Sequence, residues 1–103
     1  MVPAVGLDED YSEMINVLVV DDDERIRELV ARYLNENGYM AIMAQDAAQA
    51  EEIMRSFIFD IIVLDVMMPG QDGVSFTQML REKQNNVPVL LLTAMGEVED
   101  RIK

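Results

Sequence analysis

The sequence predicts an α/β domain built on a parallel sheet with helices on both faces. Four short apolar runs of strand length lie at 15–20, 39–44, 61–64 and 89–92. Between and after them, residues 24–37, 46–57, 72–83 and 97 onward carry apolar side chains at helical spacing. The two kinds of segment alternate strictly, and such alternation favours right-handed crossovers between parallel strands.

Residues 1–14 carry Pro3, Gly6, Asp8, Glu9, Asp10 and Glu13 without an apolar period, and read as an acidic, mobile leader. The domain proper is expected over 15–103. The first run, 15–20, is β-branched and continuous, which fits a strand buried on both faces. It ends in Asp21-Asp22-Asp23-Glu24. Asp23 suits an N-cap for a helix with an apolar stripe of Ile26, Leu29, Val30, Tyr33 and Leu34, and Gly38 suits its stop. Residues 39–44 form a weaker strand. Asp46 with Gln49 resembles a capping box, opening a helix whose inner face holds Ala47, Ala50, Ile53 and Met54, extended by Phe57.

The run at 61–64 delivers Asp65 where its strand stops, and Pro69 and the 70–73 segment turn the chain. Asp72 caps the next helix, with Phe76, Met79 and Leu80 facing inward, and Asn85 and Asn86 end it. Pro88 holds the residue before it extended, ahead of a strand at 89–92 that leads into Thr93. From Glu97 a further helix opens, with Val98 and Ile102 inward.

The chain has 103 residues, enough for one domain, and a formal charge of −12. That charge disfavours direct contact with nucleic acid or anionic lipid and suits a divalent cation or a basic protein partner. With no Cys and no His, disulfides, thiolate metal sites, Cys nucleophiles and imidazole bases are excluded. No apolar run approaches the roughly 18–20 residues of a membrane span, and the N-terminus lacks the basic start and apolar middle of a signal peptide. A cytoplasmic protein is expected.

In an open parallel sheet the carboxyl ends of the strands share one edge, where ligands bind. Asp21 and Asp22, Asp65 and Thr93 end three of the runs and therefore converge there. Two carboxylates about 4 Å apart repel by roughly 4 kcal/mol at an effective dielectric near 20. Three need a cation or a retained proton. Oxygen-only ligands with open positions point to Mg²⁺, and a carboxylate beside such an ion is equipped to accept a phosphoryl group.

The segments Val17-Leu-Val-Val-Asp21-Asp22-Asp23-Glu24, Leu64-Asp65-Val-Met-Met-Pro69-Gly-Gln-Asp72-Gly73 and Leu91-Leu-Thr93-Ala94 resemble the receiver domain of bacterial two-component response regulators. The tail from Thr93 is most similar to receivers joined to winged-helix DNA-binding domains. The resemblance implies a flavodoxin-like fold with strand order 2-1-3-4, and a phosphorelay function feeding transcription. It makes Asp65 the phosphoacceptor, supplied by a sensor histidine kinase or phosphotransfer protein. It assigns Mg²⁺ to Asp22, Asp65 and the backbone carbonyl of Met67, with Asp21 acting through a water. Thr93 would contact the phosphoryl group and shift, Ala94 would keep the pocket open, and Pro69 and Gly73 would shape the loop.

Receivers of this kind continue into a fifth strand bearing a Lys, an aromatic switch residue and a last helix, and the chain is expected to lack these. Self-association, with elements exchanged between subunits, is expected from the edge left at the fourth strand. Two other readings stand beside the receiver. One is a phosphorylation-incompetent structural or dimerisation module. The other is a metal-dependent phosphatase, which is disfavoured because Met67 stands where such hydrolases carry a second acid. The receiver reading makes the chain a phosphoacceptor that assists its own phosphorylation and dephosphorylation rather than an enzyme.

Overall fold

The computed structural model describes residues 14–68 and 70–92. Within them the chain runs β1 (Asn16–Val20), α1 (Glu24–Glu36), β2 (Met40–Ala44), α2 (Ala47–Met54), β3 (Ile61–Asp65), α3 (Gly73–Glu82) and β4 (Val89–Leu92). The strands make one sheet in the order β2-β1-β3-β4, and every neighbouring pair is parallel. The expected fold class and strand order are both found. Strand order reverses between β1 and β3, which makes their carboxyl ends the switch point of the sheet. The helix expected from Glu97 and the leader before Met14 lie outside the described residues.

The helix starts follow the sequence. The Asp23 carboxylate accepts the Arg25 and Ile26 N–H groups at α1, and the Asp72 carboxylate accepts the Ser75 N–H at 2.7 Å at α3. At α2 the Asp46 carboxylate accepts the Gln49 N–H at 2.8 Å. The Gln49 side chain reaches back to accept the Gln45 N–H at 2.7 Å. Each cap satisfies amide groups that no helical carbonyl can reach. At the far ends, Gly38 takes φ +92° after α1, while Gln84 takes φ +63° after α3, one residue before the Asn pair expected to stop it. There Arg81 Nη1 donates to the carbonyl oxygens of Asn85 and Val87 and ties down the turn.

The core is unequal on the two sides of the sheet. Leu18, Val20, Ile62 and Leu64 pack with Ala47 and Ala50 of α2, Phe76 and Leu80 of α3, and Phe59 and Met68 from the loops. Full burial of each large side chain contributes about 1.5–3 kcal/mol, so among the described residues this side carries the larger share of apolar burial. The opposite face holds a smaller cluster of Val17, Val19 and Val63, with Val30 and Leu34 of α1 laid against it.

Two expected core assignments are corrected. The α1 stripe divides: Ala31 is buried with Val30 and Leu34 beside the sheet, whereas Ile26, Leu29 and Tyr33 are 40, 61 and 65% exposed. The cause is placement, because α1 packs on β1 and β2 and its far side has no neighbour among the described residues. Phe57 is 54% exposed and Phe59 takes the inner position instead, the two rings lying 6.5 Å apart.

Candidate functional site

Strand register builds the site. Val20 pairs with Leu64 across β1 and β3, so the next residues, Asp21 and Asp65, stand side by side at the carboxyl edge. One carboxylate oxygen from each of Asp21, Asp22 and Asp65 lies within 4.8 Å of the others. Asp21 is 6% exposed and is the buried acid of the described residues. Asp65 is half-buried and Asp22 is open to solvent. The three acids singled out at the strand ends are thus brought together.

Backbone amides hold two of them in place. The Asp23 N–H donates to Asp21 Oδ1 at 2.9 Å, and the Met67 N–H donates to Asp65 Oδ1 at 3.2 Å. Arg27 is close, yet its Nη1 donates to the backbone carbonyl of Asp21 at 2.8 Å rather than to a carboxylate. The ion pairs among the described residues are Asp23–Arg25 and Glu51–Lys83, so neither reaches this cluster.

Burial raises the pKa of two of these acids, Asp65 and Asp21, and neighbouring charges add to it. Burial pushes the Asp65 carboxyl up to about 6, the Asp21 and Asp22 charges and a hydrogen bond with Asp22 add to the rise, and the Met67 N–H opposes it. The Asp21 carboxyl is also raised, chiefly by burial and further by the Asp22 and Asp23 charges, against the Asp23 N–H and a hydrogen bond with Asp65. A half-buried carboxyl that keeps its proton up to about pH 6 gives that proton up readily in exchange for a metal ion. The donor set is all oxygen and, among the described residues, no side-chain cation pairs with it, which fits a hard divalent ion better than a soft one.

The loop after β3 closes tightly. The Gly73 N–H donates to the Val66 carbonyl at 2.8 Å, and Gly70 takes φ +85° on the way. A Cβ at Gly73 would stand 2.6 Å from the Asp65 carbonyl oxygen, so only glycine fits at the start of α3. This contact was not readable from the sequence, where Gly73 registers only as a turn residue. The Arg27 contact to the Asp21 carbonyl was likewise missed, and a basic residue on a polar helix face carries no signal for it. Pro69, Thr93 and Ala94 lie outside the described residues.

Comparison with known proteins accords with this geometry. A match to the response regulator receiver domain family spans residues 17–103. The chain belongs to that family. It is 50% identical over 88 residues to protein PetR of Rhodobacter capsulatus, covering 85% of this chain and 37% of PetR. It is 42% identical over 88 residues to response regulator MprA of Mycolicibacterium vanbaalenii, covering 85% of this chain and 38% of MprA. The chain therefore spans well under half the length of these curated relatives.

Among solved structures, the receiver domain of the Francisella response regulator 1452 superposes with a TM-score of 0.77 at 36% identity, covering 85% of this chain and 73% of that one. Thermotoga maritima TrrA, solved in complex with Mg²⁺-BeF, superposes with a TM-score of 0.76 at 34% identity, covering 86% and 77%. The molecule is a receiver domain of two-component signalling. Domains of this family generally bind Mg²⁺ at an acidic pocket, and an acidic cluster of Asp21, Asp22 and Asp65 is present here. No helix among the described residues is long and apolar enough to cross a membrane.

Proposed function

We propose that Asp65 accepts a phosphoryl group from a phosphohistidine on a sensor histidine kinase or phosphotransfer protein, and that this switches an output module. The observation that carries the proposal is the convergence of Asp21, Asp22 and Asp65 within 4.8 Å at the carboxyl edge of β1 and β3. The Mg²⁺-BeF complex of TrrA supports it. A transcriptional output accords with the likeness to the response regulator MprA.

In the transfer, a carboxylate oxygen of Asp65 attacks phosphorus, and the bond from phosphorus to the histidine nitrogen breaks, its electron pair leaving with the imidazole. Asp65 must be deprotonated to attack. The Met67 N–H on Oδ1 fixes its rotamer, leaving Oδ2 as the attacking oxygen. Asp22, Asp65 and the Met67 carbonyl would hold Mg²⁺, with Asp21 acting through a water. The buried Asp21, one of whose oxygens already accepts the Asp23 N–H, suits that indirect part. When bound, the ion offsets charge on the transferring oxygens. Thr93 would donate its hydroxyl to the phosphoryl group and shift, and Ala94 would leave room beside it. Pro69 and Gly73 would hold the loop that carries Met67. The same groups would assist loss of the phosphoryl group to water.

We further propose that the chain self-associates through the α1 face of the sheet, where Leu29, Tyr33 and Leu90 are exposed. Tyr33 and Leu90 line a groove of about 410 Å³ over β1, β3 and β4. Among the described residues β4 is an outer strand, and its edge would permit exchange of elements between subunits.

Incubation with Mg²⁺ and acetyl phosphate, read by intact mass, separates the functional readings. A retained phosphoryl group supports the receiver. Consumption of the donor without an adduct supports a phosphatase, and no reaction supports the phosphorylation-incompetent module.

A further inference from the structure

Beside Asp65 lies a cavity that shares Asp22 and Met67 with the residues proposed to hold Mg²⁺ and extends past them to Asp72 and Val74 of the α3 start. It measures about 480 Å³ and is lined by Asp22, Val66, Met67, Met68, Asp72 and Val74. Its walls expose large apolar side chains beside acids, with Met67 73% and Val74 46% exposed. The Asp72 carboxylate caps α3 through Oδ1, and neither ion pair of the described residues involves it. Asp65 is not in the lining. It adjoins the cavity through Asp22 and Val66, so an occupant at the Asp72 and Val74 end would sit beside the phosphoacceptor and leave Asp22 to the ion.

We propose that this cavity docks a lysine or arginine side chain of the phosphodonor protein, a reading that rests on Asp65 being the phosphoacceptor. Apolar walls beside an acid match a side chain with an aliphatic stem and a cationic head. The stem would lie along Met67 and Val74, and the head would pair with Asp72. Charge complementarity favours the same occupant, because the chain carries a formal charge of −12 with only 8 basic residues. A cationic group beside the transferring phosphoryl would steer a donor protein onto the site, a rate effect that salt weakens. A small phosphodonor has no such side chain and gains nothing from the cavity.

The test uses the full chain with two donors, acetyl phosphate and the fastest autophosphorylated histidine kinase of the same genome. Asp72→Asn removes the charge and keeps the helix cap, since Asn caps as well as Asp. Val74→Lys places a like charge on the wall. The expected result is unchanged phosphorylation by acetyl phosphate for both variants. With the kinase, kcat/KM falls about fivefold for Asp72→Asn, with a flatter salt dependence, and further for Val74→Lys. Equal loss with both donors overturns the proposal, as does no loss with the kinase. A wild-type chain that takes phosphate from acetyl phosphate but from no kinase overturns the docking alone. Failure with both donors removes the phosphoacceptor reading as well.

Discussion

A Cβ placed on Gly73 would lie 2.6 Å from the carbonyl oxygen of Asp65 and 3.2 Å from a methyl of Leu91. The first turn of α3 is thereby pressed against the backbone of the strand that carries the central acid. Alanine is the better helix former by about 1 kcal/mol, but here it meets backbone that cannot rotate away. Gly73→Ala is therefore expected to destabilise the domain by about 1–3 kcal/mol. At roughly 4–8 °C per kcal/mol for a domain of this size, thermal unfolding by circular dichroism resolves the loss. An unchanged or raised Tm would refute the contact.

The raised pKa of Asp65 fixes the sign of a pH effect. Its folded-state value is about 6 against 3.8 ordinarily, so between these the folded protein holds a proton that the unfolded chain has released. Stability from this group is complete below pH about 4 and is lost as the pH rises through about 6. Asp21 acts in the same direction. Asp65→Asn stays neutral throughout, so in metal-free buffer it should gain on the wild type by about 1 kcal/mol between pH 4 and 7, after solvent screening. Paired urea titrations at several pH values measure the gain, and a constant difference contradicts it.

A divalent cation should reverse that penalty. At pH 7 and ten times its Kd, Mg²⁺ is expected to stabilise the chain by about 1.4 kcal/mol, because it binds the folded state alone. Asp22→Asn leaves the core untouched and should abolish most of the response, as Asp22 is exposed. Differential scanning calorimetry with and without Mg²⁺ checks both statements. Equal Mg²⁺ responses in wild type and variant would place the ion elsewhere.

The carboxylate site was legible because strand alternation alone fixes which residues end at a common edge. Asp21 and Asp65 needed only the parallel register of β1 and β3 to become neighbours. The helix caps were legible for a related reason, since Asp23, Asp46 and Asp72 act within a few residues of themselves. The division of the α1 stripe was not. Periodicity says that Ile26, Leu29, Val30, Tyr33 and Leu34 share a broad face, but not that α1 would sit over β1 and β2 and leave three of them open. The Phe57 and Phe59 exchange has the same origin. Where a helix ends, the spacing rule ends with it, and which ring turns inward is decided by packing.

Those open side chains give the self-association proposal a direct test. Light scattering at rising protein concentration should show mass above the monomer, increasing with salt as the charge of −12 is screened. Leu29→Glu and Leu90→Glu change side chains that are 61 and 53% exposed. Each should return the chain to monomer with little change in Tm. A monomer at all concentrations and salts contradicts the proposal.

The central claim is that Asp65 is the group phosphorylated. An acyl phosphate on an aspartate is reduced by borohydride to homoserine, which marks the residue by mass. The chain should be treated with acetyl phosphate and Mg²⁺, reduced, digested and mapped by tandem mass spectrometry. The account predicts homoserine at position 65, absent without Mg²⁺ and absent in Asp65→Asn. Homoserine at position 21 or 22 with an unmodified Asp65, or no conversion anywhere, would contradict it.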